Sequence, residues 1–288
     1  MVTIENEYFS LRQICESGQC FRLKLLETRQ DSEGRVKEKY GLSAFGRYLV
    51  MEQCEKTVSL FCSQEEFEQI WQNYFDLDED YGKIIASIDP EDLYLRRAAE
   101  FGSGIRILRQ DLWEMIISFI ISQQNNIPRI RRCIESLCRE YGERRRAEDG
   151  TVYDTFPSPQ ALAEAEEKDL YACNLGYRSR YVRETAGSIC RGEVDLKALM
   201  SMTGGEAVKE LQKLCGVGVK VANCVSLFAL HHTDAFPVDT HINQVLRTQY
   251  PEGFPFERYP GYSGSLQQYI FYYEIKQKFL GMSVIMEQ

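Results

Sequence analysis

No stretch of this chain is long and apolar enough to cross a bilayer. The most apolar run, Leu112 to Ser122, is interrupted by Glu114 and falls well short of the roughly 20 residues a span requires, so it reads as a core helix. The opening residues, Met1-Val2-Thr3-Ile4-Glu5-Asn6-Glu7, are acidic and lack an apolar h-region, so no secretory signal is expected. Ten cysteines are present, but without a pairing pattern. That excludes a disulfide framework and leads us to expect reduced thiols in the cytoplasm. No Cys/His pair has zinc spacing, and all ten cysteines lie at or before Cys224. A C-terminal four-cysteine iron–sulfur loop is therefore excluded, and neither metal nor cofactor is implied. Excess positive charge is also missing. With 34 Lys and Arg against 43 Asp and Glu, the net charge is −9, which argues against a broad polyanion-binding surface. Internal repeats, low-complexity tracts and long linkers are absent too.

What is present is an ordinary globular composition. At 288 residues the chain can bury a sizeable core in one large or two to three smaller domains. The charge is unevenly spread. Acidic residues crowd 64–80, whereas Arg129, Arg131, Arg132, Arg139, Arg144, Arg145 and Arg146 form an arginine-rich stretch diluted by Glu135, Glu140 and Glu143. Any contact with a polyanion is expected to be compact and salt-sensitive.

From Glu7 to about Cys62, β-branched and aromatic residues alternate with turn signals such as Asp31-Ser32-Glu33-Gly34, which predicts an antiparallel meander. Beyond Ser63 helical patterns dominate. Ser63 with Glu66 starts one over 65–74, 111–123 is strongly apolar, and 130–141 is amphipathic. Ser158-Pro159 caps the next, and further patterns cover 180–191, 205–214, 219–230, 240–249 and 265–280. The fold class is α+β. An N-terminal antiparallel sheet domain with flanking helices over 1–88 would precede a helical domain over 89–288, made of two helical subdomains with a cleft between them.

The richest segment is Leu214 to His241, LCGVGVKVANCVSLFALHHTDAFPVDTH. Gly216 and Gly218 permit a tight turn, and N–H groups exposed there, beside a helix N-terminus, form a seat for an anion such as a DNA phosphate. Lys220 and Cys224 are four apart and share a helix face. Asp239 suits the N-cap of the 240–249 helix. A bare Gly-x-Gly reads as a packing corner with a solvated lysine. The longer string resembles the helix–hairpin–helix of base-excision DNA glycosylases, with the hairpin at 214–220 and an aspartate about one helix further on.

Other segments are similar to the 8-oxoguanine DNA glycosylase/AP lyase family, in that family's order and over nearly the whole chain. They are Ser17-Gly18-Gln19-Cys20-Phe21-Arg22; Leu108-Arg109-Gln110-Asp111; Ser118-Phe119-Ile120 with Asn125-Asn126-Ile127; Leu175-Gly176-Tyr177-Arg178; and Gln267 with Phe271. The resemblance implies a bifunctional enzyme that flips 8-oxoguanine out of the duplex, preferably opposite cytosine. Lys220 would attack C1′ and form a Schiff base, with strand cleavage by β-elimination. Asp239 would stabilise oxocarbenium-like charge or assist proton transfers. Phe271 and Cys224 would face the two sides of the purine, Gln267 would read its Watson–Crick edge, and the Gly18 carbonyl would accept the N7 proton that guanine lacks. From the residues alone, Phe271 in its aromatic run reads as core, Cys224 as small-residue packing and Gly18 as a turn glycine.

The resemblance further implies that the backbone N–H groups of Gly216, Gly218 and Val221, with His241, hold a phosphate, and that Asn125, Asn126, Arg129, Tyr177 and Arg178 face the orphaned partner base. A departure falls at Gln124, where the family pattern has the first asparagine of a triplet. It puts the strictness of cytosine preference in question, while Arg129 favours retained discrimination. Double-stranded DNA with oxidised guanine is the expected partner of a monomeric, cytoplasmic, nucleoid-associated protein of bacterial type with no membrane contact. Two alternatives stay open. A monofunctional alkylated-base glycosylase normally works without the hairpin lysine, so Lys220 argues against it. A non-catalytic hairpin module would not need Lys220 and Asp239 together.

Overall fold

The computed structural model describes residues 1–286, and side chains through residue 278. Five antiparallel strands, β1 (Val2–Glu5), β2 (Leu23–Gln30), β3 (Val36–Ala44), β4 (Arg47–Cys54) and β5 (Thr57–Leu60), form a sheet in the order β1-β5-β4-β3-β2. The β3–β4 pair is continuous from Lys37↔Cys54 to Ala44↔Arg47. The β2–β3 register shifts between Leu25 and Glu27, and such a bulge bends the exposed edge. Tyr40, Leu42, Leu49, Met51, Val58 and Leu60 bury one sheet face. Against it pack helix α1 (Leu11–Glu16) and the helical stretch 64–74, whose middle turn, Phe67–Trp71, is a π-helix.

Helical structure then dominates, in line with an α+β chain. The long elements are α2 (Leu112–Ser122), α3 (Ile127–Tyr141), α4 (Arg178–Cys190), α5 (Gly204–Leu211), α6 (Val219–Phe228), α7 (Thr240–Gln249) and α8 (Ser263–Met286). Cap residues fix their starts. Asp111 accepts from Glu114 N at 2.8 Å, and Asn126 accepts from Arg129 N at 3.0 Å. Thr203 and Glu206 form a capping box, satisfying N–H groups that a helix start leaves without intrahelical partners. Because Asn126 is the cap, α3 begins three residues before its amphipathic pattern.

The arginine-rich stretch divides. Arg129 to Arg139 lie on α3, whereas Arg144–Arg146 form strand β6 of a two-stranded ribbon with β7 (Val152–Asp154). Tyr153 OH donates to Gly46 O at 2.9 Å, pinning this ribbon to the sheet.

Buried apolar side chains fall into three clusters: the sheet core, a core of α2 to α6, and one joining 81–105 to residues 242–275 of α7, α8 and the connection between them. The buried amide of Gln19 links the sheet region to the helices. Its Oε1 accepts from Leu108 N at 3.0 Å, its Nε2 donates to Arg106 O at 2.9 Å, and its own carbonyl accepts from Gln110 Nε2 at 2.9 Å. Among the described residues no helix is long and apolar enough to cross a membrane.

Candidate active site

The site lies where these cores meet. Gly216, with φ of +78°, turns the chain into α6, and a Cβ there would come within 2.6 Å of the Tyr181 ring. Its carbonyl accepts from Gln123 Nε2 at 2.9 Å, and that of Cys215 accepts from Thr185 Oγ1 at 2.9 Å. The hairpin is thus clamped to α2 and α4. Gly218 is the N-cap of α6 in extended conformation, with open space where a side chain would stand. Val221, in the first turn, buries its side chain. Its N–H belongs to the group that helix starts leave unpaired.

Lys220 and Cys224, one turn apart on α6, line a small cavity together with Gly18, Asp239, Gln267 and Phe271. The structure therefore brings together every residue expected at the catalytic centre and base pocket. Lys220 Nζ stands 5.4 Å from the Phe119 ring centroid, and Phe119 stacks on Phe228 at 5.6 Å. Burial pushes the Cys224 thiol up, opposed by the adjacent Lys220 charge, so Cys224 presents a neutral wall. Asp239 Oδ1 accepts from Ile242 N at 2.9 Å as the cap of α7.

The Gly18 turn, φ +76°, is fixed on both sides. Gln19 is tied into the core as described, and Gln268 Nε2 donates to Ser17 O at 2.6 Å. A Cβ at Gly18 would lie 3.2 Å from the Phe271 ring, so glycine permits this close approach. Gln267 Nε2 donates to Pro237 O at 3.0 Å, while its buried Oε1 has no partner.

A wider groove opens from the cavity past Asn125, Asn126 and His241. Basic Arg131, Lys220, Lys276 and Lys278 line it against acidic Glu16 and Asp239, so positive charge gathers here despite the net balance. Asn125 Nδ2 donates to Ile121 O at 3.2 Å. Gln124, on the turn before α3, and Arg129, in its first turn, are both exposed and outside the cavity lining. Gln124 adopts φ of +47°, a region that asparagine tolerates better than glutamine. Tyr177 is half exposed and packs edge-on to Tyr181.

Arg178 differs from expectation. Its guanidinium is buried rather than presented to a partner base. It donates to Gln123 O at 2.9 Å, Leu175 O at 3.2 Å and Gln124 O at 3.1 Å. These carbonyls end the helical stretches at 122 and 175, and the arginine fork supplies donors to all three.

Sequence reasoning did not assign Phe119, Phe228, Gln268, Gln123 or Lys278 to the site. Phenylalanines on apolar helices look like core, and the polar residues act through backbone carbonyls or distant partners that spacing does not reveal.

Residues 1–116 match the family model of the 8-oxoguanine DNA glycosylase N-terminal domain, and residues 117–251 match that of HhH-GPD superfamily base excision DNA repair proteins. The chain is similar to the N-glycosylase/DNA lyase of Saccharomyces cerevisiae, at 30% identity over 257 residues, which cover 85% of this chain and 63% of the yeast protein. It is also similar to the probable N-glycosylase/DNA lyase of Methanothermobacter thermautotrophicus, at 31% identity, with 65% of this chain and 64% of that protein covered. It thus spans slightly under two thirds of the length of these curated relatives. A solved structure of the Clostridium acetobutylicum 8-oxoguanine glycosylase/lyase, in complex with double-stranded DNA containing cytosine opposite to 8-oxoG, matches with a TM-score of 0.84. Identity there is 34%, over 96% of this chain and 99% of that one. Two adjoining family matches, a fold shared end to end and a lysine hairpin opening on one cavity converge: the chain belongs to the 8-oxoguanine DNA glycosylase family of the helix–hairpin–helix base-excision superfamily.

Proposed function

We propose that this chain is a bifunctional DNA glycosylase and AP lyase that excises 8-oxoguanine from duplex DNA, preferably opposite cytosine, acting as a cytoplasmic monomer on the nucleoid. The observation that carries this reading is the unpartnered, buried Oε1 of Gln267, a residue that lines one cavity with Lys220. An unmet buried acceptor costs about 1–3 kcal/mol. A guanine-type Watson–Crick edge offers N1–H and N2–H donors that would recover it. The Gly18 carbonyl, held on both sides, would then discriminate the N7–H of the oxidised base from bare N7.

In this reading Phe271 and Cys224 lie against the two ring faces. The Lys220 amine attacks C1′ while the C1′–N9 bond breaks, and the base departs with the bonding pair to be protonated. Asp239 supplies negative charge to the cationic sugar. Loss of the amine proton and opening of the ring give the Schiff base. Abstraction of a C2′ proton then expels the 3′ phosphate. Backbone N–H groups of Gly216, Gly218 and Val221, with His241, hold a phosphate beside the lesion. Arg129 and Tyr177 are presented to the partner strand, and Arg178 joins them by exchanging backbone carbonyls for cytosine O2 and N3. Lys220 lining the cavity disfavours the monofunctional alkylated-base alternative.

Single-turnover excision of 8-oxoguanine opposite each of the four bases tests the proposal. Cytosine should be fastest, and Gln124→Asn, which suits the φ at that position, should widen its margin. No excision opposite any base would contradict the function, and an unchanged ranking and spacing in Gln124→Asn would remove Gln124 from the partner-base contacts.

A further inference from the structure

Lys278 borders the groove without belonging to the residues that hold the base. It lies on α8 two turns beyond Phe271, on the same face. Its Nζ is 3.1 Å from His241 Nδ1 and donates to Gln244 Oε1 at 3.2 Å. An ammonium carries three hydrogens and no lone pair. Nδ1 must therefore accept, and the proton of the neutral ring resides on Nε2. The ring plane is fixed as well, since His241 stands edge-on to Phe271 with centroids 6.0 Å apart at 88°. His241 occupies the first turn of α7 and lines the groove beside Lys220, Asp239 and Lys278 itself.

We propose that Lys278 is a positioning residue that fixes His241 as its Nε2–H tautomer, so that this ring N–H, backed by the lysine charge, is offered to a DNA phosphate. The inference rests on the DNA-binding reading of the groove and deepens it. A neutral imidazole has one donor and one acceptor nitrogen. Once the lysine donor is gone, the ring proton is free to move to Nδ1. Nε2 then presents a lone pair to the phosphate, and an attractive contact becomes a repulsive one. The phosphate contact thus depends on a side chain that need not touch the lesion.

The first measurement needs no DNA. Long-range proton–nitrogen NMR of the imidazoles at pH 8, above the ordinary histidine range, distinguishes the tautomers. With only three histidines, His231, His232 and His241, a His241→Gln variant assigns the signals. His241 Nδ1 should resonate as an unprotonated acceptor. It should shift toward the protonated form in Lys278→Met and return in Lys278→Arg, which keeps a donor.

The second is binding to a duplex carrying 8-oxoguanine opposite cytosine. Lys278→Met should raise Kd about fivefold, more than it lowers the saturated single-turnover rate. It should add little in a His241→Gln background, because both substitutions remove one contact. A protonated Nδ1 in the native protein, a tautomer indifferent to Lys278→Met, or full additivity of the two substitutions would overturn the proposal. Absence of excision by the unaltered protein would instead contradict the function proposed above, and the tautomer result would stand apart from it.

Discussion

Asp239 joins two duties in one carboxylate: it caps α7 through Ile242 N and lines the cavity with Lys220. Asparagine is as good an N-cap as aspartate, so Asp239→Asn separates the duties. The melting temperature should stay within about 2 °C, whereas excision should fall about a hundredfold or more, the usual consequence of losing an electrostatic group at the reacting centre. Thermal melts beside single-turnover rates check this, and proportionate losses in both would leave Asp239 a cap only. Side chains of this kind were readable because motif and chemistry coincide on them: Lys220, Cys224, Asp239, Gln267 and Phe271 all reach one cavity. Arg178 was not, because its buried hydrogen bonds go to carbonyls supplied by two separate turns. Gln268 escaped for the same reason, its partner Ser17 O being 251 residues away in sequence.

The hairpin works as a rigid corner rather than a flexible loop. Gly216 is held in the left-handed region with the Tyr181 ring where a Cβ would stand, whereas Gly218 is extended with open space around it. Gly216→Ala should therefore destabilise the protein by about 1–3 kcal/mol and lower lesion-duplex affinity, while Gly218→Ala should leave stability nearly unchanged. Urea unfolding of both variants decides, and equal losses would contradict the clamp. Caps located helix starts in the sequence at Ser63, Ser158 and Asp239. Other elements were missed, including β1, α1 and the helices Tyr81–Ala86 and Leu93–Phe101, although Ser10, Asp80 and Asp92 cap the three helices. So was the ribbon, where three consecutive arginines give no strand signal. Tertiary ties such as Tyr153 to Gly46 O hold that backbone extended.

Across the molecule, the α+β division followed from the change of hydrophobic period near residue 63, but the partition of the helices did not. The third core joins 81–105 to 242–275, a pairing that no local pattern announces. One buried charge pair at the junction of sheet, ribbon and α2 makes stability depend on pH. Burial pushes the Glu114 carboxyl up to about 7, opposed by Arg22, whose Nη1 lies 3.5 Å away and whose Nη2 donates to Asp154 O. Near pH 4 both folded and unfolded chains hold that proton. Between there and about pH 7 only the folded chain does, so stability falls as pH rises. The melting temperature should rise on going from pH 8 to pH 6, and Glu114→Gln should flatten that rise. An unaltered slope would remove Glu114 as its source. Lys220 as the nucleophile is the central claim of the function proposed above. Borohydride added during reaction with a duplex carrying 8-oxoguanine opposite cytosine should trap a covalent protein–DNA complex. Peptide mapping should place the adduct on Lys220, and Lys220→Gln should bind the same duplex yet neither excise nor trap. An adduct on another residue, or wild-type excision by Lys220→Gln, would contradict it.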